Sequence, residues 1–302
     1  MIVVTGGAGF IGSNLVAELK KRHHLGVIVL DVKNDSLDDI YIWLTEHAKD
    51  IDVIFHLGAI TDTTLTDDAL FNEYNLQSSI FIWNLCVEYR IPLIYASSAA
   101  TYGDGLFGFD DEKSIISLQP LNPYGWSKQN FDLWVQMEEK HPPYWYGLKF
   151  FNVYGFGESE KGRMASMVYH AYNQIKYGNG LNLFKSYNSN YEHGGQLRDF
   201  IYVDDIVNVC LFMYDKLPIS GIYNVGTGKA RTFNDLAKAV FKSLGKKENI
   251  TYIDMPNDVK YQYQYFTEAK TNKLRKAGYD LKFHELENGV EKYINKLKYE
   301  NC

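Results

Sequence analysis

The chain has 302 residues, a formal net charge of −6, and 46% hydrophobic and 15% aromatic residues. This hydrophobic share is typical of a globular protein and excludes a disordered one. A negative charge without a cluster of lysines and arginines argues against a nucleic-acid partner. No apolar run approaches the ~18 residues that cross a membrane, and the three cysteines lack metal-ligand spacing. We therefore expect a soluble cytoplasmic protein without a signal peptide, a metal site or a membrane partner.

In chain order, the first half alternates short apolar runs with helical patterns, which predicts parallel βαβ units. The second half is less regular and indicates a smaller lobe. We predict an α/β fold, in which a Rossmann-type, doubly wound parallel sheet carries a smaller α+β substrate lobe. The Rossmann domain should comprise 1–154 and about 198–218, and the substrate lobe mainly about 155–197 and 219–302. The predicted strands are 2–4, 27–30, 53–57, 93–97, 145–151, 200–203 and 222–225. The predicted helices are 9–22, 36–47, 67–89, 124–140, 164–177, 205–216, 233–244 and 286–297.

A glycine-rich loop joins the first predicted strand to the first predicted helix. Gly6, Gly9 and Gly12 have the spacing of a dinucleotide-binding turn, with Phe10 and Ile11 opening the helix. The glycines permit a tight turn, close approach of a pyrophosphate and close packing of helix on strand. The free N–H groups at the helix N-terminus would then face the pyrophosphate. This position between a strand and an amphipathic helix predicts a nicotinamide dinucleotide site.

An acidic residue closes the second predicted strand. Asp31 lies 19 residues after Gly12, where a carboxylate would accept a hydrogen bond from the ribose 2′-OH of NAD. The same carboxylate would repel the 2′-phosphate of NADP unless Lys33 compensates. The residues themselves therefore favour NAD.

Hydroxyl, phenol and amine groups follow at a spacing typical of hydride-transfer enzymes. Ser98 ends a buried strand, and Tyr124 and Lys128 share one face of a helix. A nearby ammonium favours the phenolate, which lets a tyrosine act as a base near neutral pH. With the glycine loop, these residues resemble the extended short-chain dehydrogenase/reductase superfamily, which modifies nucleotide sugars. Ala99 and Ala100 lack the acid that the superfamily's 4,6-dehydratases use, so dehydration is disfavoured.

Three further runs resemble one family within that superfamily, the ADP-L-glycero-D-manno-heptose 6-epimerases. They are 150–155, 160–166 and 197–203, and the resemblance extends from Met1 to about Lys296. It implies NAD(P)-dependent epimerisation of ADP-D-glycero-β-D-manno-heptose at C6, for lipopolysaccharide core biosynthesis. It also implies NADP as cofactor and a homo-oligomer, pentameric in the family. In this family a tyrosine and a lysine share the proton transfers, and they match Tyr124 and Lys161 here.

The resemblance also assigns binding residues. The guanidinium of Arg198 suits a substrate pyrophosphate, because it can donate two parallel hydrogen bonds to phosphate oxygens. Besides the glycine loop, Asp31, Tyr124 and Lys128, the cofactor contacts implied are Val32, Leu57, Gly58, Ala59, Thr61, Asn75 and Val153. The substrate contacts implied are Ser98, Asn152, Arg163, His170, Phe184, Lys185, Arg198 and Tyr263.

The sequence departs from this family in three places. Only about 20 residues separate Asp31 from the next strand, so we predict that the edge strand of the sheet is lost or reduced. Arg163 stands where a serine is expected, and the stretch 186–196 is longer than expected. The choice between NAD and NADP stays open. Another nucleotide-sugar epimerase or reductase, such as a UDP-hexose 4-epimerase, and a non-catalytic dinucleotide sensor also remain as alternatives.

Overall fold

A parallel six-stranded sheet forms the centre of the computed structural model, which describes residues 1–22, 26–178, 180–256, 260 and 263–300. The order across the sheet is β10-β5-β4-β3-β1-β2. The α/β prediction is therefore confirmed. The strands are β1 Ile2–Thr5, β2 Val27–Leu30, β3 Val53–His56, β4 Leu93–Ser98, β5 Trp145–Phe150, β6 Asn152–Tyr154, β7 Leu181–Phe184, β8 Leu197–Arg198, β9 Phe200–Tyr202, β10 Gly221–Val225, β11 Arg231–Thr232 and β12 Ile250–Ile253. The α-helices are α1 Phe10–Arg22, α2 Leu37–His47, α3 Asp68–Phe71, α4 Ser78–Tyr89, α5 Pro123–Met137, α6 Met167–Gly178, α7 Val203–Lys216, α8 Phe233–Leu244, α9 Asn272–Lys276 and α10 Leu286–Glu300.

Both faces of the sheet are covered, which explains why its strands are mostly apolar. In β1, Ile2 and Val4 enter one core cluster and Val3 enters the opposite one, as the two-residue period of a strand requires. Helices α1 and α7 pack together on the first face, while α2, α4 and α5 cover the second. The carboxyl ends of the strands are left open for loops, and these loops build the site.

The sheet ends at β2, so the predicted loss of an edge strand is confirmed. Residues 31–52, all of them described, form α2 and a short 3₁₀ turn instead of a further strand. Ser36 and Asp39 cap α2 reciprocally, each accepting a hydrogen bond from the other's backbone N–H. Because α2 begins soon after β2 and β3 follows it closely, the segment is too short for a further strand and its connection. Losing an edge strand removes the hydrogen bonds of only one neighbour, so the remaining sheet stays intact.

The second lobe is built from two-stranded pieces and helices. β12 pairs with β7, β11 with β8 and β9 with β6, while α6, α8 and α10 pack around a separate core. The strand pairings cross the expected division of the chain in both directions. β6 and β9 lie within the ranges predicted for the Rossmann domain but pair outside the central sheet. β10 lies beyond residue 218 but pairs in parallel with β5, so it belongs to the central sheet. The rest of the division into a Rossmann domain and a substrate lobe stays a prediction.

The long helix predicted over 67–89 is interrupted. It comprises α3, a π-helical turn over 72–77 and α4. Periodicity alone could not show this, because the apolar pattern continues across the turn. π-turns occur frequently at functional sites, and this one carries Asn75, whose contacts are described below. The helix predicted over 124–140 ends at Met137, and the short strands β6–β8, β11 and β12 were not separately predicted.

No helix in the described residues is long and apolar enough to cross a membrane.

Gly12 provides a test of the turn after β1. A Cβ on Gly12 would lie 2.1 Å from the carbonyl oxygen of Gly6, so Gly12→Ala should displace the loop. We expect a loss of about 1–3 kcal/mol in the free energy of unfolding, the usual size of a close backbone clash, and weakened dinucleotide binding. Urea denaturation and NADH fluorescence titration measure both. Gly178→Ala is the matched control, because a Cβ there meets no atom within 4 Å. Equal behaviour of the two variants would contradict the prediction.

Candidate active site

The cleft lies where the strand order reverses. β1 pairs with β2 on one side and with β3 on the other, so the loops after β1 and β3 diverge at the same edge. Such a switch point is where open α/β sheets bind ligands. At its base the two loops almost touch, because a Cβ on Gly6 would lie 2.5 Å from the Cα of Gly58. The cleft therefore depends on glycine at this contact.

The glycine loop has the shape of a pyrophosphate cradle. Gly6 has a φ of +68°, a conformation that glycine adopts readily, and its carbonyl accepts a hydrogen bond of 3.1 Å from Gly9 N. α1 begins at Phe10 and points its N-terminus towards the cleft. A side chain at Gly6 or Gly12 would collide with backbone, so the residues present fit a dinucleotide.

Asp31 is buried at the end of β2, and its carboxylate is fixed by two backbone amides. Its Oδ2 accepts from Ala8 N at 2.9 Å and its Oδ1 accepts from Lys33 N at 3.0 Å. The carboxylate thus links the glycine loop to the turn after β2. Lys33 reaches back, donating to the carbonyl of Ala8 at 3.1 Å and pairing with Glu160.

Most of the predicted cofactor residues surround one cleft. The predicted residues that line it are Gly6, Gly9, Phe10, Ile11, Gly12, Asp31, Val32, Leu57, Gly58, Ala59 and Thr61. Sequence reasoning missed an apolar wall formed by α2, whose Leu37, Ile40 and Tyr41 also line the cleft. The i, i+3, i+4 spacing of these three residues was a usable signal. The predicted cofactor residues that do not line this cleft are Asn75, Tyr124, Lys128 and Val153, and their cofactor contacts stay predictions.

Asn75 and His56 hold the loop after β3 in place. Asn75 accepts from Ile60 N at 2.8 Å and donates to Ile60 O and to Ser127 Oγ, both at 2.9 Å. His56 bridges Thr5 Oγ1 at 2.7 Å and Ser79 Oγ at 2.9 Å. Burial, assisted by the charge of Lys128, lowers the pKa of His56 to about 3. A neutral imidazole therefore links β1 to Ser79 in the first turn of α4, next to the π-helical turn.

The structure places Ser98, Tyr124 and Lys128 on two elements in contact, β4 and α5, and their catalytic roles stay predictions. α5 begins after Asn122, whose side chain accepts from Gly125 N at 2.8 Å, and this start places Tyr124 in the first turn. Ser98 lies at the end of β4, near the Tyr124 side chain. Burial raises the pKa of Tyr124, and the nearby Ser98 hydroxyl opposes that rise. Burial also lowers the pKa of Lys128 to about 8, opposed by the charge of Asp132 one turn further along α5.

A fully buried ionic network lies next to this group. Asp132 accepts from Lys149 Nζ at 2.7 Å, from Ser97 Oγ at 2.7 Å and from Tyr95 OH at 3.1 Å. Lys149 also donates to Thr101 Oγ1 at 2.6 Å. These contacts fix α5 against β4 and β5 on either side of Ser98. Buried charges persist only when they are paired and hydrogen-bonded, as here.

Lys161 lines the dinucleotide cleft, together with the glycine loop and Asp31. It lies in a 3₁₀ segment, Ser159–Met164, and its ammonium is 5.8 Å from the centre of the Phe10 ring. Burial lowers the pKa of Lys161, opposed by the nearby charge of Glu158. No contact in the described part of the chain joins Lys161 directly to Tyr124. The two side chains therefore lie on separate elements.

Arg198 is a buried cation in the second lobe. Its guanidinium lies over the rings of Tyr263 at 5.3 Å and Phe233 at 5.7 Å, and burial lowers its pKa. Within the described residues, no carboxylate pairs with it. The neighbouring Asp199 instead accepts from the amides of Thr227 and Gly228, so the two adjacent charges serve different contacts. A buried cation with aromatic walls and no acid partner suits an anionic ligand.

The other predicted substrate residues are spread along this lobe. Asn152 is exposed and its Oδ1 accepts from Thr267 Oγ1 at 3.2 Å. Lys185 pairs with Asp254 at 3.2 Å, next to Phe184 at the end of β7. His170 Nε2 lies 3.2 Å from the carbonyl oxygen of Arg163. Arg163 itself points its guanidinium at Asp62 and Thr64, residues of the loop after β3. Substrate contact by these residues stays a prediction.

A family model agrees with this geometry. It is described as the NAD dependent epimerase/dehydratase family and matches residues 2–226. The chain belongs to this family. Among curated relatives, the chain is 46% identical to an ADP-L-glycero-D-manno-heptose-6-epimerase of Fusobacterium nucleatum, with 97% of each chain covered. It is 44% identical to a protein of the same name from Nitratidesulfovibrio vulgaris, again with 97% of each covered.

Solved structures of epimerases share the fold. The Helicobacter pylori ADP-L-glycero-D-manno-heptose-6-epimerase has a TM-score of 0.81 at 28% identity, over 98% of this chain and 96% of that one. A UDP-glucose 4-epimerase of Thermotoga maritima has a TM-score of 0.83 at 23% identity, over 100% of this chain and 99% of that one. The second likeness concerns the fold alone. The α/β fold with its central parallel sheet is thus shared with these epimerase structures.

Lys128 allows a pH test that needs no substrate. Its folded-state pKa of about 8 lies below the ~10.4 of an unfolded lysine. Below about pH 8 the folded state therefore carries a full penalty for a buried charge, and this penalty shrinks as pH rises from about 8 to about 10. Lys128→Met should raise the free energy of unfolding by about 1–3 kcal/mol at pH 7.

Urea denaturation of both proteins at pH 7 and at pH 9.5 measures this difference. The advantage of the variant should be largest at pH 7 and smaller at pH 9.5. Lys20→Met, on the exposed face of α1, is the control and should show no such trend. A variant that is less stable than the original chain at pH 7 would show that Lys128 stabilises the fold.

Proposed function

We propose that this protein is an isomerase that converts ADP-D-glycero-β-D-manno-heptose to ADP-L-glycero-β-D-manno-heptose by transient oxidation at C6. The observation that carries the proposal is the placement of two proton-transfer groups on separate elements. Tyr124 lies on α5 against Ser98, while Lys161 reaches the dinucleotide cleft from the 3₁₀ segment. The names of relatives at 44–46% identity supply the sugar.

The first proton transfer belongs to Tyr124 or Lys161, according to the epimer bound. Ser98, held at the end of β4, positions the reacting hydroxyl beside Tyr124. A bound nicotinamide would accept and return the hydride, and its positive charge would favour a phenolate at Tyr124. Lys128 supports the same ionisation electrostatically from one turn along the helix. The buried pair of Asp132 and Lys149 keeps this geometry fixed.

Two bases are needed because the oxygen changes sides. Oxidation at C6 makes that carbon planar, and hydride return to the opposite face places the oxygen opposite its starting position. One fixed group cannot lie within hydrogen-bond distance of both positions. Lys161 is suited to the second position because burial lowers its pKa towards the working pH. Its neutral form can then take a proton and its charged form can return one.

Arg198 is proposed to bind the pyrophosphate of the ADP-sugar. Its guanidinium is buried beside Tyr263, and no carboxylate among the described residues pairs with it. By family resemblance we further propose a homo-oligomer, pentameric in that family, that acts in the cytoplasm and supplies heptose for the lipopolysaccharide core. Asn152, Phe184, Lys185 and His170 are proposed to contact the sugar or the nucleotide.

The deciding experiment is incubation of the purified protein with ADP-D-glycero-β-D-manno-heptose, followed by proton NMR. We expect the L-glycero epimer to form without net consumption of dinucleotide, because the redox step is internal. UDP-glucose and UDP-galactose serve as comparison substrates. Conversion of the UDP-sugars alone would replace the proposal with a hexose 4-epimerase. Binding of dinucleotide with no conversion of any sugar would favour the sensor alternative.

Variants of Tyr124 and of Lys161 should differ in the epimer that they can still oxidise. Tyr124→Phe and Lys161→Met should each lower kcat by about 10²–10⁴-fold, the usual contribution of a general acid–base. Each should still permit one proton transfer, so a stopped-flow transient of reduced dinucleotide should persist with one epimer and vanish with the other. Lys185→Met is the control. Because Lys185 is proposed to contact the substrate, this variant should raise KM for the ADP-sugar instead of lowering kcat. Loss of the transient with the same epimer in both variants would contradict the two-base arrangement.

The charges around Asp31 predict a preference for NAD. A 2′-phosphate would approach the fixed carboxylate of Asp31, while Lys33 is already paired with Glu160. We expect NADH to bind at least about tenfold more tightly than NADPH, corresponding to about 1.4 kcal/mol. Fluorescence titration measures both constants, and Asp31→Asn should narrow the gap. Tighter binding of NADPH would show that Lys33 leaves Glu160 to meet the phosphate.

A further inference from the structure

A loop over residues 155–166, here called the crossing loop, carries Lys161 and is closed at its neck by a buried carboxylate. Glu158 is 1% exposed and accepts from Gly155 N at 3.2 Å, from Ser166 N at 2.5 Å and from Ser166 Oγ at 2.8 Å. One side chain therefore holds both ends of the crossing loop together. The beginning of the crossing loop is fixed to α1, because Asn14 donates to Phe156 O at 2.8 Å.

The tip of the crossing loop makes two ionic contacts. Glu160 pairs with Lys33, whose ammonium also donates to Ala8 O at 3.1 Å. Arg163 lies 3.5 Å from the Oδ2 of Asp62 and donates to Thr64. Asp62 is held for this contact, since its Oδ1 accepts from Thr64 N at 2.9 Å and from Thr64 Oγ1 at 2.6 Å.

These two contacts reach opposite sides of the dinucleotide cleft. Lys33 and Ala8 belong to the side built by β2 and the glycine loop, and Asp62 follows Thr61 on the side built by the loop after β3. Gly157, Glu160 and Lys161 line the cleft between them. The crossing loop therefore spans the cleft, with Lys161 between its two points of attachment.

We propose that Glu160 and Arg163 are positioning residues that fasten the crossing loop over the bound dinucleotide and so hold Lys161 in the cleft. The part of this inference that concerns Lys161 rests on the proposed function. The part that concerns retention of the dinucleotide does not depend on that function. Arg163 takes this part in place of the sugar contact that family resemblance implies for its position. The lost edge strand makes the attachment at Lys33 relevant, because that side of the cleft ends at β2.

The size of the expected effect follows from exposure. Both ion pairs are at the surface, where one pair changes an equilibrium about two- to fivefold and is weakened by salt. Glu160→Gln and Arg163→Ser should therefore each accelerate NADH release by about two- to fivefold. The release rate is measured by adding excess NAD to the NADH-loaded protein and following the loss of NADH fluorescence.

A double-mutant cycle isolates the contact across the cleft. Arg163→Ser and Asp62→Asn should together accelerate NADH release no more than either does alone, because both remove one interaction. Arg163→Lys should restore much of the original rate, since it keeps a cation at the site. Glu112→Gln is the matched control. It breaks an exposed pair with Lys276, at 2.8 Å, whose residues do not line the dinucleotide cleft, and should leave release unchanged.

Steady-state kinetics distinguish a residue that positions Lys161 from a residue that binds the sugar. Arg163→Ser should lower kcat and leave KM for the ADP-sugar nearly unchanged, because Lys161 is then held less firmly. A raised KM with unchanged NADH release would overturn the proposal and return Arg163 to the substrate site. Additive effects of Arg163→Ser and Asp62→Asn would also overturn it. Faster NADH release in a protein that converts no sugar would retain the fastening and reject only the proposed function.

Discussion

The close contact between Gly6 and Gly58 is the constraint on which the rest of the structure depends. Because Gly6 has no side chain, the loops after β1 and β3 come together at the carboxyl ends of these strands. The cleft above this contact is lined by the glycine loop, by Asp31 and by the loop after β3. The sheet topology supplies the position of the cleft, and the missing Cβ of Gly6 allows the two loops to approach at its base.

Burial shapes the chemistry as much as proximity does. It raises the pKa of Tyr124, lowers that of Lys128 to about 8 and keeps His56 neutral. All three shifts disfavour the charged form of the group. A cationic ligand beside Tyr124 would favour its phenolate and would oppose the charged forms of Lys128 and His56. The paired charges of Asp132 and Lys149 show the opposite solution, since they are fully buried yet mutually satisfied. The site therefore keeps its titratable groups and its structural charges in separate, adjoining layers.

Much of this could be predicted from the sequence because local patterns fix it. The alternation of apolar runs with helical patterns, the glycine spacing and the i, i+4 relation of Tyr124 and Lys128 are set within short stretches. The structure shows the corresponding parallel strands, the turn after β1 and helix α5. The lost edge strand followed from counting residues after Asp31. The π-turn and the Asp132–Lys149 network could not be predicted in this way. Both depend on contacts between residues distant in sequence, and periodicity carries no information about them.

Two of the three departures from the family pattern, the shortened segment after Asp31 and Arg163, lie at the dinucleotide cleft. The shortened segment leaves β2 at the edge of the sheet and brings Lys33 to the cleft, where Glu160 meets it. Arg163, unexpected at its position, meets Asp62 on the other side. A cofactor that is oxidised and reduced within one turnover must not leave between the two steps. A loop attached on both sides slows that escape, and it does so with the same residues that flank Lys161. Retention of the dinucleotide and placement of the second base are therefore coupled through one short segment.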